Sequence, residues 1–265
     1  MGNIIRRQLE RNWIFLAAAT LVLAAFEFLL CAMVASIDVE GALAQVTAFA
    51  PPMLRAVIEQ NMPGGSPAGI LSFGWNHPVA HALLTAVAIT LGARAIAGEV
   101  ESGVIELVLA QPLSRTQYFA AHLVFGAGAL AAAIGGGVAG TAIGQLAFSL
   151  DAFGPGRLVI LFLNVFLLQL AIYAFTLAVS ALGREAGRVA LAGVLFAVLS
   201  FLVNAVATLW SKAQFIKPYS LHAYYEPREL LTQGHLASSS VVVLAAFSAI
   251  ALAVAFTSFA RRDLP

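Results

Sequence analysis

Few residues in this 265-residue chain carry groups that do chemistry. Glu27 lies in the middle of a long apolar run, where an ionised carboxylate costs several kcal/mol unless it is paired or wet. Two roles fit it: a residue lining a substrate path or a seam between copies, or a neutral carboxyl hydrogen-bonded between helices, with Asn164 and Gln169 as candidate partners. His77 and His81 stand one helical turn apart, a spacing that can bring two imidazoles to one metal. No carboxylate or cysteine nearby completes such a site, so interfacial hydrogen bonding is the simpler role. Glu99 and Glu101 are close together but fall in a loop, where they suit a charged docking surface. The chain has no H-E-x-x-H, no G-x-S-x-G and no acidic pair within an apolar run. It has no G-x-x-x-x-G-K-[ST] phosphate loop either, and its only lysines are Lys212 and Lys217. A single cysteine, Cys31, excludes a disulfide framework. These residues predict no catalytic, metal or cofactor-binding site in the chain.

The elements that hold these residues follow from composition. The chain is 61% hydrophobic and 10% charged, with a mean hydropathy of +0.91. Soluble domains carry roughly 25% charged residues, so water cannot be the solvent for this surface. A net charge of +1 lacks the basic face of a nucleic-acid binder. Crossing about 30 Å of hydrocarbon at 1.5 Å per residue takes about 20 apolar residues. Six stretches qualify, about 13–35, 77–97, 118–150, 158–182, 189–210 and 239–260. Of the 13 acidic residues only Glu27 falls inside a span, and all 14 Lys and Arg lie at ends or in loops. The predicted fold is an all-α integral membrane protein, one transmembrane domain over residues 1–265.

Lys and Arg set the direction. Arg6, Arg7, Arg11, Arg94, Arg115, Arg184, Arg188, Arg261 and Arg262 collect on one side; Arg55, Arg157, Lys212, Lys217 and Arg228 are spread over longer loops on the other. Both termini are therefore expected in the cytoplasm. The first apolar run is too long for a cleaved signal peptide and contains Glu27. Ahead of it, Ile5, Leu9 and Trp13 recur every four residues, which fits either a helix lying along the interface or a polar extension of the first span. The outer loop 36–76 suggests a short interfacial helix beginning at Pro51 and Pro52, with Met53, Leu54, Val57 and Ile58 on its apolar face. In the third span Gly136, Gly140 and Gly144 repeat every four residues, a ladder that lets helix backbones approach closely.

The loop between the second and third spans is the informative one. Val100, Val104, Leu107 and Val108 fall on one helical face, with Glu99, Ser102 and Glu106 elsewhere. Pro112 stops the element, and Ser114 with Gln117 forms a capping box that starts the next span. The result is a short amphipathic helix held between two membrane helices.

This run, 98–115, resembles the signature of type-2 permeases of ATP-binding-cassette (ABC) transporters: a Glu, then Gly-Thr-Leu-Glu-Leu-Leu-Leu, then Pro-x-Ser-Arg. Glu99, Gly103, Glu106, Leu107, Leu109, Pro112, Ser114 and Arg115 match it, and Val104 departs from the usual Thr. Tyr224, Tyr225 and Pro227 are similar to the family's outer loop. The resemblance implies a non-catalytic permease, working as a homodimer with two copies of a separate ATP-binding subunit that carries ATP and Mg. It also implies export across a bacterial cytoplasmic (inner) membrane. Glu99, Val100, Glu101, Gly103, Val104, Glu106, Leu107, Val108, Pro112, Ser114 and Arg115 would then form the coupling element docked on that subunit, with Glu99, Glu101 and Glu106 giving it charge. Besides the ATPase and a second copy, only membrane lipid is expected as a partner. Two rivals remain: a stand-alone secondary transporter, which would want inverted repeats and several intramembrane polar residues, and a membrane enzyme acting on lipid or isoprenoid groups, which would want an acid, base or metal cluster near one interface.

Overall fold

The computed structural model describes residues 1–36, 39–52, 54–55, 67–105, 114–150 and 152–262. Among them there are helices and no strands. The chain runs through α1 (Gly2–Ser36), α2 (Val39–Phe49), α3 (Pro67–Asn76), α4 (Pro78–Ala95), α5 (Ala97–Glu101), α6 (Arg115–Ala147), α7 (Pro155–Leu182) and α8 (Ala186–Leu209). Two 3-10 segments, Ser211–Tyr219 and Leu221–Tyr224, then lead to α9 (Pro227–Gln233) and α10 (Ser238–Arg261). Six helical stretches are long and apolar enough to cross a membrane, with α3 and α4 together making the second.

The structure decides one open alternative and moves one boundary. The segment ahead of the first span is not a separate interfacial helix. α1 is continuous over 35 residues, about 52 Å at 1.5 Å per residue, so its first turns extend the span beyond the hydrocarbon. The second span also begins earlier than residue 77. α3 occupies residues taken as outer loop and buries Ile70, Leu71 and Trp75 inside the bundle. Gly69, Ser72, Gly74 and Asn76 dilute its hydropathy, yet their small size admits it: Gly74 lies against the side chains of Leu30 and Glu27. At the junction Pro78 opens α4, and the His77 ring accepts the Val79 N–H at 3.2 Å. Of the short helix expected after Pro51, Pro52, Leu54 and Arg55 are helical and exposed, and Met53 and residues 56–66, with Val57 and Ile58, lie outside the described residues.

α1 and α6 run parallel and form the closest pairing in the bundle. One stripe of α1 is buried along its length: Ile4, Gln8, Asn12, Ala19, Leu23, Glu27, Cys31 and Val34. Opposite it stand the glycines of α6. Gly136 meets Thr20, Gly140 meets the backbone of Ala24, and a Cβ on Gly144 would come within 2.7 Å of the Cys31 Cβ. α7 packs on α4 and α10 and buries residues on all sides, including Leu161, Leu168, Ile172 and Leu177. α8 is the reverse, with Leu191, Leu195, Leu199 and Leu202 exposed.

A methyl group at Gly140 would overlap the Ala24 carbonyl oxygen, whereas one at Gly128 meets nothing within 4 Å. Gly140→Ala should therefore cost about 1–3 kcal/mol through overpacking, lowering the thermal midpoint of the purified protein. Gly128→Ala should hold or raise it. Equal midpoints for the two variants would show that the seam is not as close as described.

Candidate functional site

The end of the bundle that carries both termini is built around Glu99. α4 ends at Ala95, and after Ile96 the chain re-forms as α5 without leaving the core, because Ser180 of α7 bridges the break. The Ser180 hydroxyl accepts the N–H groups of Ile96 and Ala97 at 3.3 and 2.9 Å and donates to the Ala93 carbonyl at 3.0 Å. The turn places Glu99 inward with no exposure. Its Oε1 accepts from the Arg7 guanidinium and, at 2.8 Å, from the Gln8 amide. Its Oε2 lies 2.9 Å from the Tyr118 hydroxyl, which is also 3.0 Å from the Ala95 carbonyl oxygen. A buried carboxylate is tolerable only when its oxygens are met by donors, and here three side chains from two other helices meet them.

This corrects the expectation that Glu99 presents charge on a docking surface. Helical periodicity within the loop turned it away from Val100 and Val104, but both faces are in contact: Val100 and Val104 are partly buried against the core, and Glu99 is enclosed by α1 and α6. Glu101 is exposed, and its Oε2 accepts the Ala186 N–H at 2.8 Å, a carboxylate at the start of α8. α5 closes at Gly103, whose φ of +69° suits glycine, with Gly103 N–H donating to the Val100 carbonyl at 3.1 Å. Glu106, Leu107, Val108, Leu109 and Pro112 lie outside the described residues. Ser114 caps α6 reciprocally with Gln117. The Arg115 guanidinium donates to the carbonyls of Phe259, Ala260 and Arg262 at the end of α10, where a cation is favourable. Arg262 in turn donates to the Ala181 carbonyl at 2.9 Å.

Every long helix except α8 is thus fastened directly to its neighbours at this end, and α8 is fastened through Glu101. The run of residues that carries the motif is the hub of these ties. Residues 7–264 match the model of a family described as ABC-2 family transporter protein. The chain belongs to the ABC-2 transporter family. Comparison with curated proteins returned no match. The family, together with six apolar helices, makes this a multi-pass transmembrane permease of the ABC transporter class.

Sequence reasoning missed Arg7, Gln8, Tyr118 and Ser180. Arg7 read as a topology signal, and Ser180 was one hydroxyl in an apolar span; the only local hint was a polar residue at a helix end. Glu27 is fully buried between α1, α3 and α6. Its Oε2 lies 3.3 Å from the Thr141 hydroxyl, so the partner is on α6. Asn164 and Gln169 are not its partners: the Asn164 amide donates to the Tyr224 carbonyl at 2.9 Å, and Gln169 Oε1 has no partner.

At the opposite end of this permease, His77 is spent as a helix cap and His81 packs edge-on to Tyr225 with ring centroids 4.9 Å apart. His222 joins them, its Nδ1 2.9 Å from the Ser200 hydroxyl. Among the described residues no group of three or more His, Cys, Asp or Glu gathers as a metal site.

Glu99→Ala takes the acceptor from Arg7 and Gln8, while Tyr118 keeps the Ala95 carbonyl; a broken buried pair costs about 3–5 kcal/mol, and Arg7, with 38% of its side chain exposed, can reach water, so about 3 kcal/mol is expected. Tyr118→Phe should cost about 1–3 kcal/mol, and Glu101→Ala less than either, all read from denaturation in detergent. Burial and the neighbouring His81 push the His222 ring down to about 3. Its unfolded form gains a proton near pH 6.5 and the folded form does not. The stability it allows is complete above that pH and falls progressively as pH drops toward 3. His222→Gln should remove part of this acid-side loss, seen as a flatter curve of melting midpoint against pH.

Proposed function

We propose that this permease is the membrane subunit of an exporter driven by a separate ATP-binding protein, with two copies of each chain in the working assembly. Both termini would face the cytoplasm of a bacterial cell, with the permease in the inner membrane and ATP and Mg held by the partner. The observation that carries the reading is the family match combined with the Glu99 cluster, which ties the motif-bearing segment to the first and third spans. A force applied to α5 and the residues after it would be passed into α1 and α6 without slack. ATP binding would close the ATPase pair and draw the two coupling segments together. The permease would then shift between two states, as coupling requires contacts that differ between them.

In this arrangement Glu99 acts inside the protein as a tie, and the charge offered to the ATPase comes from Glu101 and Glu106. Glu106→Arg should abolish co-purification of the ATP-binding subunit while leaving the permease at its normal level in the membrane. Association that survives the charge reversal would remove this segment from the interface.

A further inference from the structure

A cavity of about 510 Å³ opens at the end opposite the termini, between α8, the segment Ser211–Tyr219 and α9. Its volume suits a small-molecule headgroup. Four rings line it: His81, Phe201, His222 and Tyr225. The Phe201 and His222 rings meet edge-on at 5.7 Å. Carboxylates from Glu226 and Glu229 also line it, with Lys217 4.0 Å from Glu226. Arg228 lines the same cavity, so two cations and two carboxylates face it, and burial and the adjacent Glu229 push the Glu226 carboxyl up from its ordinary value. Asn204, also lining the cavity, has an Oδ1 with no partner.

Two features fix the surroundings. Trp210, Phe215 and Tyr219 are exposed beside the cavity, at 59%, 75% and 85%, the composition of a belt at the headgroup level of a bilayer. The cavity wall from α8 is one helical face, Phe201, Asn204 and Thr208, and the same face continues into the span as exposed Val198, Val194 and Leu191. A polar cavity at the water interface thus leads onto an apolar strip.

We infer that this cavity binds the headgroup of an aminophospholipid of the phosphatidylethanolamine class. Its ammonium sits between Glu226 and Glu229 and against the aromatic walls, its phosphate meets Lys217, and an acyl chain lies along Val198, Val194 and Leu191. Acid and base placed side by side match a zwitterion. Carboxylates and an unpartnered amide oxygen favour a primary ammonium, with three N–H donors, over a quaternary one with none. The aromatic rings add cation–π attraction. The inference requires that the chain spans a bilayer and is independent of how transport is powered.

The test is native mass spectrometry of the full-length chain in mild detergent, titrated with dioctanoyl phosphatidylethanolamine, phosphatidylcholine and phosphatidylglycerol and with water-soluble glycerophosphoethanolamine. The ethanolamine lipid should bind at one site about tenfold or more tighter than the other two lipids, the factor expected from charge-assisted hydrogen bonds. The soluble headgroup should bind more weakly than the lipid. Glu226→Gln with Glu229→Gln should erase the preference over phosphatidylglycerol at an unchanged melting midpoint. Lys217→Gln should weaken the ethanolamine lipid and leave its preference over phosphatidylcholine; if the double variant does not fold, this one decides. Equal binding of the three lipids, a preference that survives the double variant, or unchanged affinity in Lys217→Gln would overturn the assignment. Soluble headgroup binding as tight as the lipid would overturn it in favour of a soluble zwitterion, and capture of α8 by a second copy in place of lipid would do the same.

Discussion

A carboxylate cannot be left inside a protein without donors, and the donors of Glu99 come from far along the chain. Arg7 and Gln8 reach it from the start of α1 and Tyr118 from the start of α6. The short helix between two spans is held in the core by that requirement together with the packing of Val100, Val104 and Ile105. With Ser180 bridging the break at Ile96, Arg115 clasping the end of α10 and Arg262 tying that end to α7, the bundle is most tightly knotted at the end where its motif lies. The interaction is a weak argument for stability, since desolvation offsets much of the Coulomb attraction. Its value is geometric: three elements are given one relative position.

The rest of the bundle extends that position along its length. Glycines at four-residue spacing bring α6 against α1 closely enough that motion of one carries the other. Glu27 and Thr141 add a polar contact midway. α7 is the most buried of the spans, while α8 shows an apolar face over most of its length.

The spans, with Glu27 as the one acidic residue inside them, were legible in the sequence because hydropathy over 20 residues is a strong signal. The glycine ladder was legible as spacing, but its partner was not, since nothing local to Gly140 points to Ala24. α3 was hidden because ten residues between Pro67 and Pro78 are too few to read as a span on their own, although the small size of Gly69, Ser72 and Gly74 is what lets them enter the core. The motif loop was placed correctly between the second and third spans, yet the direction of Glu99 was not readable. Periodicity reports which residues share a face of one helix. It says nothing of a second helix arriving 92 residues away in sequence to cover the other face. The same limit hid Arg7, whose charge served equally well as a marker of membrane direction.

The claim on which this account rests is that Arg7 and Glu99 act as one unit joining α1 to the motif segment. A double-mutant cycle with Arg7→Met and Glu99→Gln, measured by reversible denaturation in detergent, tests it directly. The two losses should be strongly non-additive, with an interaction of at least about 1 kcal/mol. Losses that add to within about 0.5 kcal/mol would mean the segment is held by its apolar contacts alone, and the proposed route for force into the first span would fail.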